Sequence, residues 1–124
     1  MTARSVAVID DDRLVRATLK AILDDAGYRV TLAADAASAL EVINDENVEV
    51  VITDLLMPNG SRFEAIRNIR RRHPDMKIIA ISGAIPRNDA ALLDMLGALG
   101  ADRVLAKPIE PDKIIETIEQ LFPN

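Results

Sequence analysis

The feature that most constrains the fold is a set of short apolar runs, each ending abruptly in a charged residue. Residues 50–53 lead into Asp54, residues 6–9 lead into three consecutive aspartates, and residues 104–106 lead into Lys107. Short apolar runs bounded by turn or polar residues are typical of buried strands. If these strands are parallel neighbours, their carboxyl ends meet at the edge where open α/β sheets hold their sites.

The composition predicts one acidic, soluble domain over residues 1–124. Hydrophobic residues make up 49% of the chain and there is no cysteine, so a core can form while disulfides and thiolate metal sites are excluded. Fifteen basic and twenty acidic residues leave a net charge of −5, which disfavours direct nucleic-acid binding. No secretory signal and no apolar run of roughly 20 residues is present, so we expect a cytoplasmic protein with no membrane contact.

Between the apolar runs, other segments show the spacing of amphipathic helices. Gly27 is a typical stop for the first helix, Asp35 is a predicted N-cap for the second, and Pro111 suits the first turn of the last. The predicted strands cover residues 6–9, 28–32, 48–53, 77–81 and 104–106, and a helix is predicted from Asn88 or Asp89 through Leu99. Five strand–helix alternations with nearly all-apolar strands predict an α/β fold, a parallel sheet with helices on both faces.

The charged strand ends indicate a metal and phosphoryl site. Asp10, Asp11 and Asp54 would repel one another unless a cation lay among them, and oxygen ligands without histidine or cysteine favour Mg²⁺ or Mn²⁺. One carboxylate could then attack a phosphoryl group, while Lys107 and the Ser82 hydroxyl pair with phosphoryl oxygens. For any single aspartate, a solvated position at a strand end remains the simpler interpretation.

This spaced set resembles the receiver domains of two-component response regulators over essentially the whole chain. The resemblance rests on Asp10-Asp11, on Asp54 with its following Leu55-Leu56-Met57-Pro58, on Ser82, and on Lys107-Pro108. It implies a five-stranded parallel sheet in the order 2-1-3-4-5. It also implies Mg²⁺-dependent acceptance of a phosphoryl group from a histidine kinase or a histidine phosphotransfer protein. The modified domain would then bind a downstream protein that the sequence does not identify.

The same resemblance implies a role for each matching residue. Asp54 would be the phosphoacceptor, Ser82 the hydroxyl that swings toward the phosphoryl group, and Lys107 the residue that contacts it. Asp11, Asp54 and the backbone carbonyl of Leu56 would bind Mg²⁺, with Asp10 acting mainly through water. The domain would catalyse phosphoryl transfer to and hydrolysis from its own aspartate, without turning over a separate substrate.

The predicted switch surface departs from the family pattern. Counting back from Lys107 places Val104 at the position of the fifth strand that usually carries Tyr, Phe or His. Valine has no ring to rotate, so the usual aromatic coupling is in doubt. The helix through residues 88–99 is unusually apolar, and core packing is the default interpretation of its leucines. The alternative is that Leu92 and Leu96 form part of a partner surface with Val104 and the last helix. A homodimer through the last helices is compatible with the sequence.

The basic residues 70–73 have two interpretations. We predict helix-end charges that complement the helix dipole, because a nucleic-acid patch would be unusual on an acidic domain without interleaved aromatic residues. His73 is predicted to be one of these charges, so the phosphoryl group must come from a separate protein.

Three other functions remain open at this stage. A degenerate receiver would act only as a docking module. An aspartate-nucleophile phosphatase would use the Asp-x-Asp arrangement in residues 10–12, although the chain lacks room for a cap. A flavodoxin-like carrier of FMN would share the topology, but an acidic first loop would repel its phosphate.

Overall fold

A computed structural model describes residues 4–54, 62–82, 97–98, 100–106 and 109–122. Within these ranges the strands are β1 (Ser5–Ile9), β2 (Arg29–Ala33), β3 (Val50–Asp54), β4 (Lys77–Ser82) and β5 (Arg103–Ala106). The helices are α1 (Arg13–Asp25), α2 (Ala36–Glu46), α3 (Arg62–Arg72) and α4 (Pro111–Leu121). The predicted boundaries agree to within about two residues, the scatter expected at element ends. The helix predicted for residues 88–99 lies almost wholly outside the described residues.

All five strands form one parallel sheet in the order β2-β1-β3-β4-β5, which confirms the predicted topology. The register pairs Ile9 with Thr53, Asp54 with Ile81, and Ser82 with Ala106. The carboxyl ends of β1, β3, β4 and β5 therefore lie along one edge. No helix in the described ranges is long and apolar enough to cross a membrane.

Alternate residues of each strand pack into two cores on opposite faces of the sheet. On one face, Ala7 and Ile9 pack with buried residues of α2 and α3. On the other face, Val6 and Val8 pack with buried residues of α1 and α4. Side chains alternate across a strand, so a strand covered on both faces must be apolar at nearly every position. This confirms the prediction of helices on both faces.

The second helix begins and ends with residues suited to their backbone geometry. Asp35 is the N-cap of α2, as predicted, and its Oδ1 accepts a hydrogen bond of 2.8 Å from the Ser38 amide. Asn47 follows the helix with a φ of 52°, a left-handed conformation that asparagine tolerates better than most residues. These two residues define the ends of α2, after which the chain continues into β3.

At the amino-terminal edge of the sheet, Arg70 holds three segments of the chain together. Its guanidinium donates hydrogen bonds to the carbonyls of Pro74, Met76 and Gly100, and to the Asp102 carboxylate at 2.8 Å. The same carboxylate oxygen accepts the Ile78 amide at 2.8 Å. We call these contacts the Arg70 network. Arg70 does lie in the last turn of α3, as predicted, but its role exceeds that of a helix-end charge.

His73 also has a specific contact. It directly follows α3, and its Nε2 lies 3.0 Å from the Asn44 side-chain oxygen on α2. The contact links the carboxyl-terminal ends of two helices on the same face of the sheet. It gives His73 a packing role that the helix-dipole interpretation alone did not include.

Candidate functional site

Two aspartates are buried side by side at the carboxyl edge of the sheet. The pairing of Ile9 with Thr53 places the next residues close together, Asp10 directly after β1 and Asp54 at the end of β3, and they are only 1% and 3% exposed. Asp11 follows in the loop and is exposed. One carboxylate oxygen from each of the three lies within 4.8 Å of the others. We call this group the carboxylate cluster, and it contains the three aspartates predicted from the sequence.

The loop between β1 and α1 is held in place by its own hydrogen bonds. Asp10 Oδ1 accepts the amide of Asp12 at 2.8 Å, and the Asp10 carbonyl accepts the Arg16 guanidinium at 2.6 Å. Asp12 is the N-cap of α1, and its carboxylate accepts the Leu14 amide at 2.9 Å. The third aspartate of the triplet therefore starts the helix, while the first two belong to the carboxylate cluster.

The donor set of the cluster fits a hard divalent cation. Three carboxylates so close together repel one another, and burial of two of them removes much of the screening by water. Oxygen-only donors suit Mg²⁺, Ca²⁺ or Mn²⁺ rather than metals that prefer nitrogen or sulfur. Within the described ranges, this is the group of acidic residues whose ligand atoms are close enough to share an ion.

The other predicted site residues are only partly described. Ser82 is the last residue of β4, beside the strand that carries Asp54, and it pairs with Ala106, the residue before Lys107. The structure thus gives the strand position of Ser82 but not its side chain. Lys107, Leu56, Leu92 and Leu96 lie outside the described residues.

Val104, the predicted switch residue, lies on β5 and is half-buried. Its side chain packs against the core on the α2 and α3 face. A small aliphatic side chain in this packing cannot make the large ring movement of an aromatic residue. The position is therefore occupied by a half-buried residue that packs against the core, and a readout without an aromatic switch stays a prediction.

Sequence reasoning missed two supporting residues, Asp12 and Arg16. An aspartate directly before an amphipathic segment is a common N-cap, so Asp12 could have been recognised. Arg16 carried no such signal, because its bond to the Asp10 carbonyl depends on how the loop closes onto the first turn of α1.

Comparison with known proteins identifies the family. The profile of the response regulator receiver domain matches residues 6–119. The chain belongs to this family. Its members act in two-component signal transduction, and the carboxylate cluster lies in the acidic pocket at which receiver domains bind Mg²⁺.

Individual relatives agree with this assignment. The response regulator MprA of Mycobacterium sp. strain KMS is 32% identical over 118 residues, covering 94% of this chain and 50% of MprA. The chemotaxis protein CheY4 of Vibrio cholerae superposes with a TM-score of 0.87 at 27% identity, covering 98% of this chain and all of CheY4.

A response regulator from Burkholderia pseudomallei superposes with a TM-score of 0.83 at 28% identity. The match covers 94% of this chain and 66% of that one, whose crystal structure contains a phosphorylated aspartic acid and a calcium ion. The chain spans about half or less of the curated relatives that it matches first.

The chain is a receiver domain of the response regulator type, consistent with phosphoryl acceptance in two-component signalling. Nothing in the fold or the comparisons favours the docking module, the phosphatase or the FMN carrier.

Proposed function

We propose that Asp54 accepts a phosphoryl group and that residues 1–124 act as a single phosphorylated switch. The observation that carries the proposal is the carboxylate cluster, in which Asp54 lies with its oxygen within 4.8 Å of oxygens from Asp10 and Asp11. The Burkholderia relative supports it, because that receiver fold was crystallised with both a phosphorylated aspartic acid and a divalent cation.

Position distinguishes Asp54 from its two neighbours. Asp54 ends β3, the central strand, and lies between Asp10, which directly follows β1, and Ile81 on β4, the residue before Ser82. Asp10 is engaged in the turn with the Asp12 amide, which suits a supporting role. Asp11 is exposed in the loop, which suits a metal ligand better than a nucleophile that must exclude bulk water.

The cation is proposed to be Mg²⁺, with Mn²⁺ as a substitute. Asp11 and Asp54 would bind it directly with the Leu56 backbone carbonyl, and Asp10 would act through water. When bound, Mg²⁺ supplies positive charge that offsets the carboxylates and the phosphoryl oxygens.

The proposed reaction is transfer of one phosphoryl group. A carboxylate oxygen of Asp54 forms a bond to phosphorus as the bond between phosphorus and the donor histidine nitrogen breaks, leaving a neutral imidazole after protonation. Lys107 would pair with one phosphoryl oxygen and the Ser82 hydroxyl with another. Water later releases inorganic phosphate and restores the carboxylate, so the domain would act on its own aspartate without turning over a separate substrate.

The proposed donor is a histidine kinase or a histidine phosphotransfer protein, and the proposed output is a changed surface for a downstream protein. That surface would include Val104, Leu92 and Leu96, and pairing of two copies of the chain is one form that the output could take. We place the reaction in the cytoplasm, where the kinase domain draws on ATP, and we propose no direct contact with nucleic acid or membrane.

The test is phosphorylation by acetyl phosphate in the presence of Mg²⁺, read by intact mass. We expect one added phosphoryl group in the wild-type chain and none in Asp54→Asn. Glu41→Gln removes an exposed carboxylate on α2 and is the matched control, which should be labelled normally.

Metal binding is measured separately from labelling. The chain has no tryptophan, so amide NMR shifts during a Mg²⁺ titration are the appropriate readout. Shifts should concentrate near Asp10, Asp11 and Asp54 and weaken in Asp11→Asn. Labelling that persists in Asp54→Asn would refute the assigned acceptor. Absence of both labelling and metal-dependent shifts would refute the phosphoryl switch as a whole.

A further inference from the structure

A groove of about 660 Å³ lies between α1 and α4, on the face of the sheet that the two helices share. Half-buried Ile22 and Ile115 lie along its floor with smaller residues, and both also pack against the core beneath. The described lining residues include four charged side chains, and all four are acidic: Asp25, Asp112, Glu116 and Glu119. We call this feature the acidic groove.

We propose that the acidic groove binds a basic amphipathic helix of a partner protein, independently of the phosphorylation site. The floor would accept the apolar side chains of the partner, and the rim would pair with its lysines and arginines. Helices that dock into grooves in this way place apolar anchors at positions i, i+3 or i+4, and i+7.

The distribution of charge favours a partner that carries several positive groups. Four of the chain's twenty acidic residues line the groove, and none of its fifteen lysines and arginines is among the described lining residues. Asp112, Glu116 and Glu119 lie on one face of α4 over about 10 Å. A row of that length matches basic residues on successive turns of a second helix better than it matches a single small cation.

Most of these carboxylates occupy positions that are electrostatically unfavourable for the helices that carry them. Asp25 ends α1 and Glu119 lies in the last turn of α4, where a negative charge opposes the helix dipole. Asp112 and Glu116 are four residues apart, a spacing at which like charges repel. Only Asp112, in the first turn of α4, has a favourable position relative to the dipole.

Among the described residues, no ion pair uses the rim carboxylates, and Glu116 accepts a hydrogen bond of 3.5 Å from the Gln120 side chain. The ion pairs found in the described part of the chain use the acidic residues Asp24, Glu49 and Asp102, which lie outside the rim.

The test uses a designed, fluorescently labelled peptide of about 15 residues, long enough to form a helix on binding. It carries leucines at i, i+4 and i+7 with lysines on both flanks. One control peptide has the same composition in an order that breaks the apolar stripe, and another has glutamates in place of the lysines. Binding to the intact chain is measured by fluorescence anisotropy, and the site is mapped by amide NMR shifts.

Two double variants distinguish an effect of the groove carboxylates on peptide binding from an effect of the net charge of the chain. Asp25→Asn with Glu116→Gln removes one carboxylate from each wall, and Glu41→Gln with Asp75→Asn removes two exposed carboxylates that do not line the groove. We expect about tenfold weaker binding for the groove variant and less than about a twofold change for the control. Amide shifts should cluster at Ile22 and Ile115, in the phosphorylated and unphosphorylated chain alike.

Three outcomes would overturn the proposal. The reordered peptide could bind as well as the amphipathic one, the two double variants could weaken binding equally, or the shifts could fall outside the groove. Shifts at Ile22 and Ile115 that depend on protein concentration without peptide would instead assign the groove to a second copy of this chain. Peptide binding, the double variants and the shifts of the unphosphorylated chain do not require Asp54, so a negative result in them leaves the phosphoryl switch untouched.

Discussion

Replacement of Arg70 by methionine tests whether this arginine holds the amino-terminal edge of the sheet together. Methionine keeps much of the length and the apolar stem but removes every donor of the guanidinium. The Arg70 network then loses its bonds to three carbonyls and to the Asp102 carboxylate. Asp102 also loses its ion-pair partner while it still accepts the Ile78 amide.

The expected cost follows from the number and exposure of these bonds. A hydrogen bond contributes about 0.5–1.5 kcal/mol net, and one to a charged group about 1.5–3 kcal/mol. The Arg70 and Asp102 side chains are 25% and 30% exposed, so solvent reduces the upper figures. We therefore expect the free energy of unfolding to fall by about 2–4 kcal/mol.

The assay is urea unfolding followed by circular dichroism. With a slope of about 2 kcal/mol per molar urea, the midpoint should fall by about 1–2 M. Arg71→Met is the matched control, because Arg71 is exposed and carries the same charge in the same turn of α3. It should change the stability by no more than about 0.5 kcal/mol.

A second variant separates charge from geometry. Arg70→Lys keeps the positive charge at the end of α3 but lacks the planar fork that reaches several acceptors at once. We expect it to lose most of the stability that Arg70→Met loses. The Arg70 network would be unimportant for stability if Arg70→Met lowered the free energy of unfolding no more than Arg71→Met, or if Arg70→Lys kept full stability. The helix dipole would then suffice to explain the basic residues 70–73.

Three further predictions concern single residues. Gly100→Ala should destabilise the fold by about 1–3 kcal/mol in thermal unfolding, because its φ is 118° and the added Cβ would lie 3.0 Å from the Arg70 side chain. Asp12→Ala should cost about 0.5–2 kcal/mol through loss of the α1 cap, measured by urea unfolding, with Asp12→Asn retaining most of the stability. Burial and Glu119 raise the pKa of Tyr28. Relative to Tyr28→Phe, the contribution of Tyr28 to the free energy of unfolding should therefore be complete below about pH 10 and should decline as the pH rises through the raised pKa. Tyr28 is the only tyrosine, so the tyrosinate absorbance of the folded chain measures its pKa directly.

The local pattern of the sequence was enough to predict the described strands and helices, their layers and the grouping of three aspartates. The all-apolar strands required helices on both faces, and charged residues at the strand ends required a shared edge. Both inferences depend on neighbours in sequence, and so the sequence alone brings Asp10, Asp11 and Asp54 together. The strand order came from the family resemblance, since periodicity alone does not order strands.

Tertiary structure decided the features that depend on residues far apart in the chain. The Arg70 side chain meets Gly100 and Asp102, which lie 30 and 32 residues away, and no local pattern marks that approach. The acidic groove likewise needs α1 and α4 side by side, although they stand at opposite ends of the sequence. Periodicity determines which face of an element is buried, whereas the packing of whole elements determines which exposed groups become neighbours.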